Sequence, residues 1–231
     1  MTELNYTASE ISTTEYSVKS SVESAYLGSI SFEKSIELQK DLGKLAQSRN
    51  SISILGLQHP AVITLGRRAQ QTTELSDQFL QSNSSIPVLH TSRGGLATIH
   101  SEGQLIIYPV LNLRKLKWGV QNYVSRLLLT TQSLLVDYGI LSEIDIKGAG
   151  LYTATGKIAF CGIEVRSGIT YHGISLNVRN DLGLFSMIRS CGIENLKLDQ
   201  LQNYQVNDTL KEIFEKWVSI FKRSLNEDFN Q

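Results

Sequence analysis

The chain has 231 residues, enough for one large domain or two small ones, and its 41% hydrophobic share suits a globular core and excludes a disordered chain. With 22 basic and 22 acidic residues it carries no net charge, so nucleic acid is not expected as the main ligand, because a phosphate backbone demands a basic surplus. Two cysteines, Cys161 and Cys191, are too few for a secreted disulfide scaffold, and there is neither a basic-then-apolar leader nor a run near the roughly 18 apolar residues of a membrane span. The expectation is a cytoplasmic protein with free thiols.

Residues 1–24 are rich in Ser, Thr and Glu and poor in large apolar side chains, which predicts a loosely held tail; residues 25–231 read as a single domain without an internal repeat. Ser31 is a candidate N-cap, with Glu33 in the first turn of a helix whose apolar face is Phe32, Ile36, Leu42 and Leu45. Ser51 to Leu55 and Ala61 to Leu65 read as strands joined by a turn at Gln58-His59-Pro60. Val88 to His90, Ala97 to His100 and Gln104 to Val110 are further strand candidates.

A second helix follows, with Val120, Val124, Leu127, Thr131, Leu134 and Tyr138 at helical spacing and Gly139 as its stop. Ile158 to Val165 and Ile169 to Val178 predict a hairpin turned by Arg166-Ser167-Gly168. A last helix spans about Asp208 to Arg223 with the stripe Ile213, Phe214, Trp217 and Phe221. Strands and helices mix without strict alternation. The predicted class is therefore α+β with a mixed, largely antiparallel sheet flanked by helices.

Four constellations carry chemistry. In Ser92-Arg93-Gly94-Gly95-Leu96-Ala97-Thr98-Ile99-His100, continuing to Gly103-Gln104, paired glycines allow close backbone approach, and their N–H groups can form a nest for a carbonyl or phosphate oxygen. The plain alternative is a tight turn with Arg93 solvated. No Gly-Lys-Ser/Thr follows, so this is no phosphate-binding P-loop. In Gly156-Lys157-Ile158-Ala159-Phe160-Cys161, strand alternation puts Lys157, Ala159 and Cys161 on one face. Lys157 is then either a cation aimed into a pocket beside Cys161 or, as is commoner for a lone lysine, a solvated residue at a strand start.

In Tyr171-His172-Gly173-Ile174-Ser175-Leu176-Asn177, alternation places His172 with Ile174 and Leu176 on an apolar face, where a histidine is more often a hydrogen-bonded core residue than a catalyst. Gly173 inside the strand suggests that a ligand or another backbone packs against it. Finally, Cys191-Gly192 sets a thiol before a glycine whose N–H can serve as an oxyanion donor, although a single cysteine is more often incidental. A thiol is a poor nucleophile until it ionises, and a nearby ammonium lowers its pKa; Lys157 and Cys191 would suit each other if the fold joins them. No Cys-x-x-Cys pair is present, so a zinc site has little support.

Taken together, these motifs resemble the lipoyl(octanoyl) transferase family of lipoate biosynthesis, from about Tyr26 to Leu201. The resemblance rests on five motifs in order: His59-Pro60-Ala61-Val62-Ile63-Thr64-Leu65-Gly66-Arg67-Arg68-Ala69; Arg93-Gly94-Gly95 with Thr98, His100 and Gly103-Gln104; Gly156-Lys157-Ile158-Ala159; Tyr171-His172-Gly173 with Leu176-Asn177-Val178; and Cys191-Gly192-Ile193. Ser92 stands where the family usually has Asp, and Ser101 and Glu102 replace its usual Gly-Pro.

The resemblance implies the fold of lipoate and biotin protein ligases. It also implies transfer of an octanoyl group from octanoyl-acyl carrier protein to a lysine of an apo lipoyl domain, in 2-oxoacid dehydrogenase complexes or the glycine cleavage protein. By position, Cys191 would be the nucleophile, forming a thioester, and Lys157 its activating cation and acid–base. Arg93, Gly94, Gly95, Leu96, Ala97, Thr98, Ile99, His100, Phe160, Cys161, Gly162, Gly173, Ile174 and Ser175 would line the acyl and thioester pocket, with His172 orienting. No cofactor, metal or nucleic acid is expected. The runner-up is an ATP-dependent lipoate–protein ligase of the same fold. A third reading, a carrier-binding module without activity, sits poorly with the presence of both Lys157 and Cys191.

Overall fold

The computed structural model describes residues 13–14, 22–49, 51–81, 84–189 and 196–229. Cys191 and the rest of 190–195 lie outside the described residues. An eight-stranded mixed sheet forms the backbone of the molecule. Its strands are β1 (Thr13–Thr14), β2 (Val22–Ser29), β3 (Ile52–Gln58), β7 (Gln104–Val110), β8 (Glu143–Asp145), β9 (Gly150–Tyr152), β10 (Lys157–Arg166) and β11 (Ile169–Asn177), in the spatial order β1-β2-β3-β7-β11-β10-β9-β8. Only β2 and β3 run parallel; the other neighbours are antiparallel. A second sheet, β5-β4-β6, is built from β4 (Val62–Leu65), β5 (Val88–His90) and β6 (Ala97–His100). The α+β class is as expected. β2 begins inside the segment read as a tail, and Thr13–Thr14 pairs with its first residues.

Helix α1 (Phe32–Arg49) starts where Ser31 Oγ accepts the Lys34 N–H at 3.2 Å, with Glu33 in the first turn. Its buried stripe differs from the expected one. Phe32, Ser35, Gln39, Leu42, Gly43 and Ala46 face the sheet, while Ile36 and Leu45 sit half-buried at the rim. Helical periodicity is kept, but two of the inward positions are polar, which an apolar count passes over.

The two strands around His59-Pro60 do not pair. β3 has both edges occupied, by β2 and β7, so the chain after Pro60 crosses into the second sheet, and the short helices α2 (Gln71–Glu74) and α3 (Asp77–Gln81) follow β4.

On the opposite face of the large sheet, α4 (Val120–Asp137) and α5 (Leu210–Phe229) cover the main core. Helix α4 ends before Gly139, at φ +72°. Helix α5 begins at a capping box, Thr209 with Glu212, and runs past the expected Arg223. Its stripe of Ile213, Phe214, Trp217 and Phe221 is buried as expected, and Trp217 Nε1 donates to Thr131 Oγ1 of α4 at 2.8 Å. Among the described residues no helix is long and apolar enough to cross a membrane.

The β10–β11 hairpin closes through Ser167 and Gly168, both at positive φ (+52° and +88°), as a two-residue primed turn requires. Two local breaks in the sheet shape the site. On β10, the register with β9 shifts between Lys157 and Ala159. On β11, the ladder to β7 runs from Asn177 to Ile174 and stops short of Pro109, which has no N–H to give. Just beyond, His172 takes φ +59°, a left-handed conformation rare for a residue with a Cβ.

Candidate active site

A cavity of about 300 Å³ lies between the two sheets and the β8–β9 turn, within the range of small-molecule sites. Its wall draws on Arg93 to Thr98 and His100, on Phe160 to Ile163, and on His172 to Ser175. Of the residues assigned to the pocket, the structure brings together all but Ile99, which packs into the small core with Ile63 and Leu65 because β6 alternates and turns Thr98 and His100 to the other side.

Lys157 is 0% exposed and lines this cavity. Strict alternation would turn its side chain away from Phe160. The register shift on β10 instead brings Nζ 4.8 Å from the Phe160 ring centroid and 5.3 Å from that of Tyr152, while it donates to Gly148 O at 3.0 Å. This is a cation enclosed by aromatic faces and a carbonyl, not the solvated strand start that a lone lysine suggests. Gly150 is required here, since a Cβ would collide with the Lys157 stem. The chain after 195 returns to the same place: Lys157 N–H donates to Lys197 O at 2.8 Å and Asp199 N–H to Lys157 O at 3.0 Å.

Asp199 is buried and ties this corner together. It accepts from Thr153, Thr155 (2.5 Å), Asn203 (2.7 Å) and Tyr204 (2.6 Å). Burial pushes its carboxyl upward in pKa, but these donors outweigh burial and hold it below the usual range.

The half-buried Cys161 also lines the cavity. Desolvation raises its thiol pKa to about 12, with Lys157 pulling weakly the other way. Burial therefore disfavours its thiolate, the form that acts as a nucleophile.

The Arg93-Gly94-Gly95 turn is a fixed support. Arg93 is buried, and its guanidinium donates to Thr64 O at 2.6 Å, to Thr64 Oγ1 at 2.9 Å and to Gly94 O at 3.0 Å. It is not solvated. The Gly94 N–H is already bonded to Ile163 O (2.9 Å), so the expected two-glycine nest does not form as such. Ser92 bonds the buried Glu164 carboxylate, which also meets Arg166 (2.9 Å) and Arg67 (3.5 Å). With Ser at position 92, the acid of this cluster comes from β10 instead.

Sequence reasoning missed the far wall. Phe32, Ile106 and Tyr108 line the cavity beside His172. The left-handed turn at His172 reverses its side chain, so it leaves the Ile174–Leu176 face to which alternation assigns it. It stacks on Phe32 (6.1 Å between centroids, 20° between planes) and meets Tyr108 edge-on. Its backbone N–H donates to Gln39 Oε1 at 2.6 Å, which explains the polar inward position on α1.

His59 sits behind Tyr108, with Nδ1 2.8 Å from Ile30 O and Nε2 3.1 Å from the Tyr108 hydroxyl. Burial dominates His59, His100 and His172 and lowers their pKa values to about 4, 3 and 4; each of the three is neutral at physiological pH. The available signals were Phe32 directly after the N-cap and Pro109 interrupting an otherwise apolar strand.

Two layered sheets, a central apolar cavity and an enclosed lysine define the catalytic-domain class to which the Lipoyl protein ligase A/B catalytic domain model, matching residues 32–222, belongs. Lipoate-protein ligase A bound with ATP superposes with a TM-score of 0.70 at 15% identity, covering 88% of this chain and 85% of that one, a likeness of fold. At the level of sequence, the octanoyltransferase of Chromobacterium violaceum is 35% identical over 78% of this chain and 84% of that protein, and that of Cellvibrio japonicus 36% over 73% and 76%. The chain belongs to the octanoyltransferase family, and it is an acyltransferase that moves octanoyl groups.

Proposed function

We propose that the chain transfers octanoyl from octanoyl-acyl carrier protein to the lysine amine of a lipoyl domain through a thioester on Cys191, assisted by Lys157. The donor and acceptor classes follow those implied by the family, and a cytoplasmic setting suits both. The observation that carries the proposal is the enclosed Lys157 ammonium on the wall of a mainly apolar acyl-sized cavity. The chain has two cysteines, and Cys161 is held as a neutral thiol, which leaves Cys191 for the nucleophile.

The described residues on either side of 190–195 are tied to groups near the cavity, which supports the reading. Arg189 N–H donates to Glu74 O, and the Glu74 side chain accepts from Ala97 of the cavity wall. Leu198 forms a parallel bridge with Lys157.

In the first step the Cys191 thiolate attacks the donor's thioester carbonyl. A new thioester forms, the donor's C–S bond breaks, and the carrier leaves as a thiol by taking a proton from Lys157, which is then neutral. This exchange is nearly isoenergetic. In the second step the acceptor amine attacks, the amide forms, and the Cys191 thiolate departs while Lys157 relays the amine's proton. Burial of the alkyl chain contributes about 0.8 kcal/mol per CH₂.

The test is intact mass after incubation with octanoyl-acyl carrier protein. One octanoyl adduct is expected, absent in Cys191→Ser and present in Cys161→Ser. No adduct, together with lipoyl-domain modification from free octanoate and ATP, would establish the ligase reading instead.

A further inference from the structure

Gln104 and Asn177 lie in two of the sequence motifs, yet the acyl-transfer scheme gives them no task. Both are fully buried. Their hydrogen bonds form a chain whose direction can be read from one end. Asn177 Nδ2 donates to the backbone O of Asp199 at 3.1 Å; a carbonyl only accepts, so the Asn177 amide has one possible orientation. Its Oδ1 then accepts from Gln104 Nε2 at 2.9 Å and from Asn180 Nδ2 at 3.3 Å. With Nε2 of Gln104 committed as donor, its Oε1 is the atom 2.7 Å from His100 Nδ1. That oxygen carries no proton, so Nδ1 of His100 must. The other ring nitrogen, Nε2, is left as an acceptor in this neutral imidazole.

His100 and Thr98 are two residues apart on β6 and both line the cavity. Thr98 Oγ1 is buried and has no hydrogen-bond partner among the described residues. A buried hydroxyl in that state is costly unless something fills the site. The octanoyl group and its thioester linkage offer hydrogen-bond acceptors only, which suits the Thr98 hydroxyl. An acceptor such as His100 Nε2 has nothing to bind there. Of the groups the two substrates bring to the acyl carbon, the attacking amine is the one that carries N–H donors.

We propose that Gln104 and Asn177 are positioning residues: their amide relay, oriented from the Asp199 carbonyl, holds His100 as the Nδ1–H tautomer so that Nε2 receives an N–H of the incoming lysine amine. Asp199 also bonds Lys157 through its own N–H, so one anchor registers both the relay and the lysine strand. The inference rests on the acyl-transfer reading. Nε2 stays unprotonated because burial, with His59, Arg93 and His172 nearby, opposes a charge on His100, although the Gln104 oxygen favours one.

The two half-reactions and the tautomer are measured separately. Long-range ¹H–¹⁵N correlation in the full-length protein is expected to show His100 protonated at Nδ1. In Gln104→Leu the tautomer preference is lost, and aminolysis of the octanoyl-enzyme slows about tenfold, the scale of one lost hydrogen bond, with octanoyl-enzyme formation within roughly twofold. Gln104→Glu keeps an oxygen on Nδ1 but adds a charge that raises the His100 pKa. Its aminolysis rate gains a new limb that falls as pH decreases, because the doubly protonated ring has no acceptor. A purely structural Gln104 would slow both half-reactions alike and add no limb, and that result overturns the proposal, as does Nε2–H on His100 in the wild type. If the wild type forms no octanoyl-enzyme at all, the acyl-transfer reading falls and takes the role of His100 with it, whereas Nε2–H alone removes only the relay.

Discussion

The two faces of the large sheet follow different rules. Under α4 and α5 the core is apolar and regular: Leu105, Ile107, Ile174 and Leu176 alternate as strand residues should, against Trp217 and Phe221. On the α1 side, and across to the second sheet, buried polar groups collect: Gln39, His59, Arg93, His100 and His172. The backbone breaks its own rules there as well, with a register shift at Lys157, an interrupted ladder by Pro109 and a left-handed His172. One face supplies stability by area removed from water. The other holds polar groups whose burial is costly and is justified by chemistry.

That contrast can be attacked most forcefully at Lys157. Lys157→Met keeps the stem and removes the cation, and it is expected to slow acyl-enzyme formation by about 10²–10⁴-fold while thermal unfolding changes little. A variant with near wild-type rates would remove the enclosed lysine from the chemistry.

On the regular face the expectation reverses. Trp217→Ala should cost about 3–5 kcal/mol in denaturant unfolding and leave the per-molecule rate of the folded fraction intact. A selective loss of turnover there would erase the distinction between the faces.

The histidines give the contrast a pH signature. Their folded pKa values of about 4, 3 and 4 lie below the unfolded value of 6.5, so the unfolded chain binds more protons between those limits. Stability is therefore complete above about pH 6.5 and declines as pH falls through that window, by up to about 1.4 kcal/mol per pH unit for each histidine. Urea titrations from pH 7.5 to 4.5 measure this. His172→Phe should flatten the decline, and an unchanged slope would clear His172 of it.

Phe32 sharpens the acyl wall. Phe32→Ala should raise the ratio of dodecanoyl to octanoyl turnover by about tenfold, the low end of the 10–200-fold that one methylene can command in an apolar pocket. If both thioesters lose activity equally, Phe32 serves packing alone.

The smallest effect belongs to Glu164→Gln. Its partners Arg67 and Arg166 are largely exposed, so the change should cost less than about 1 kcal/mol and show as a slight salt-sensitive drop in melting temperature.

Much of the scaffold was legible in advance. β5, β6 and β7 fall where alternation and turn residues place them, and the α5 stripe and the β10–β11 hairpin follow from period and turn chemistry. The motifs led to the cavity, with Ile99 the one assigned residue that points elsewhere. What stayed hidden was orientation. A period-two rule cannot foresee the left-handed His172 or the shift at Lys157, because each lies where a neighbouring strand packs closely: β7 with Pro109 against Gly173, and β9 with Gly150 against the Lys157 stem. Phe32 reads only as part of an apolar helix face until α1 and β7 meet, and an apolar stripe passes over the polar inward positions Ser35 and Gln39.

The sequence by itself determined the elements, the mixed class and the family motifs, because periodicity, caps and turn residues act over a few neighbouring positions. Only the tertiary structure decided that Lys157 is enclosed, that Arg93 is a strut and that Cys161 lies in the cavity wall with its thiol pKa raised by burial. Burial and hydrogen-bond partners come from chain segments tens of residues apart, and they set what a charged or polar side chain can do.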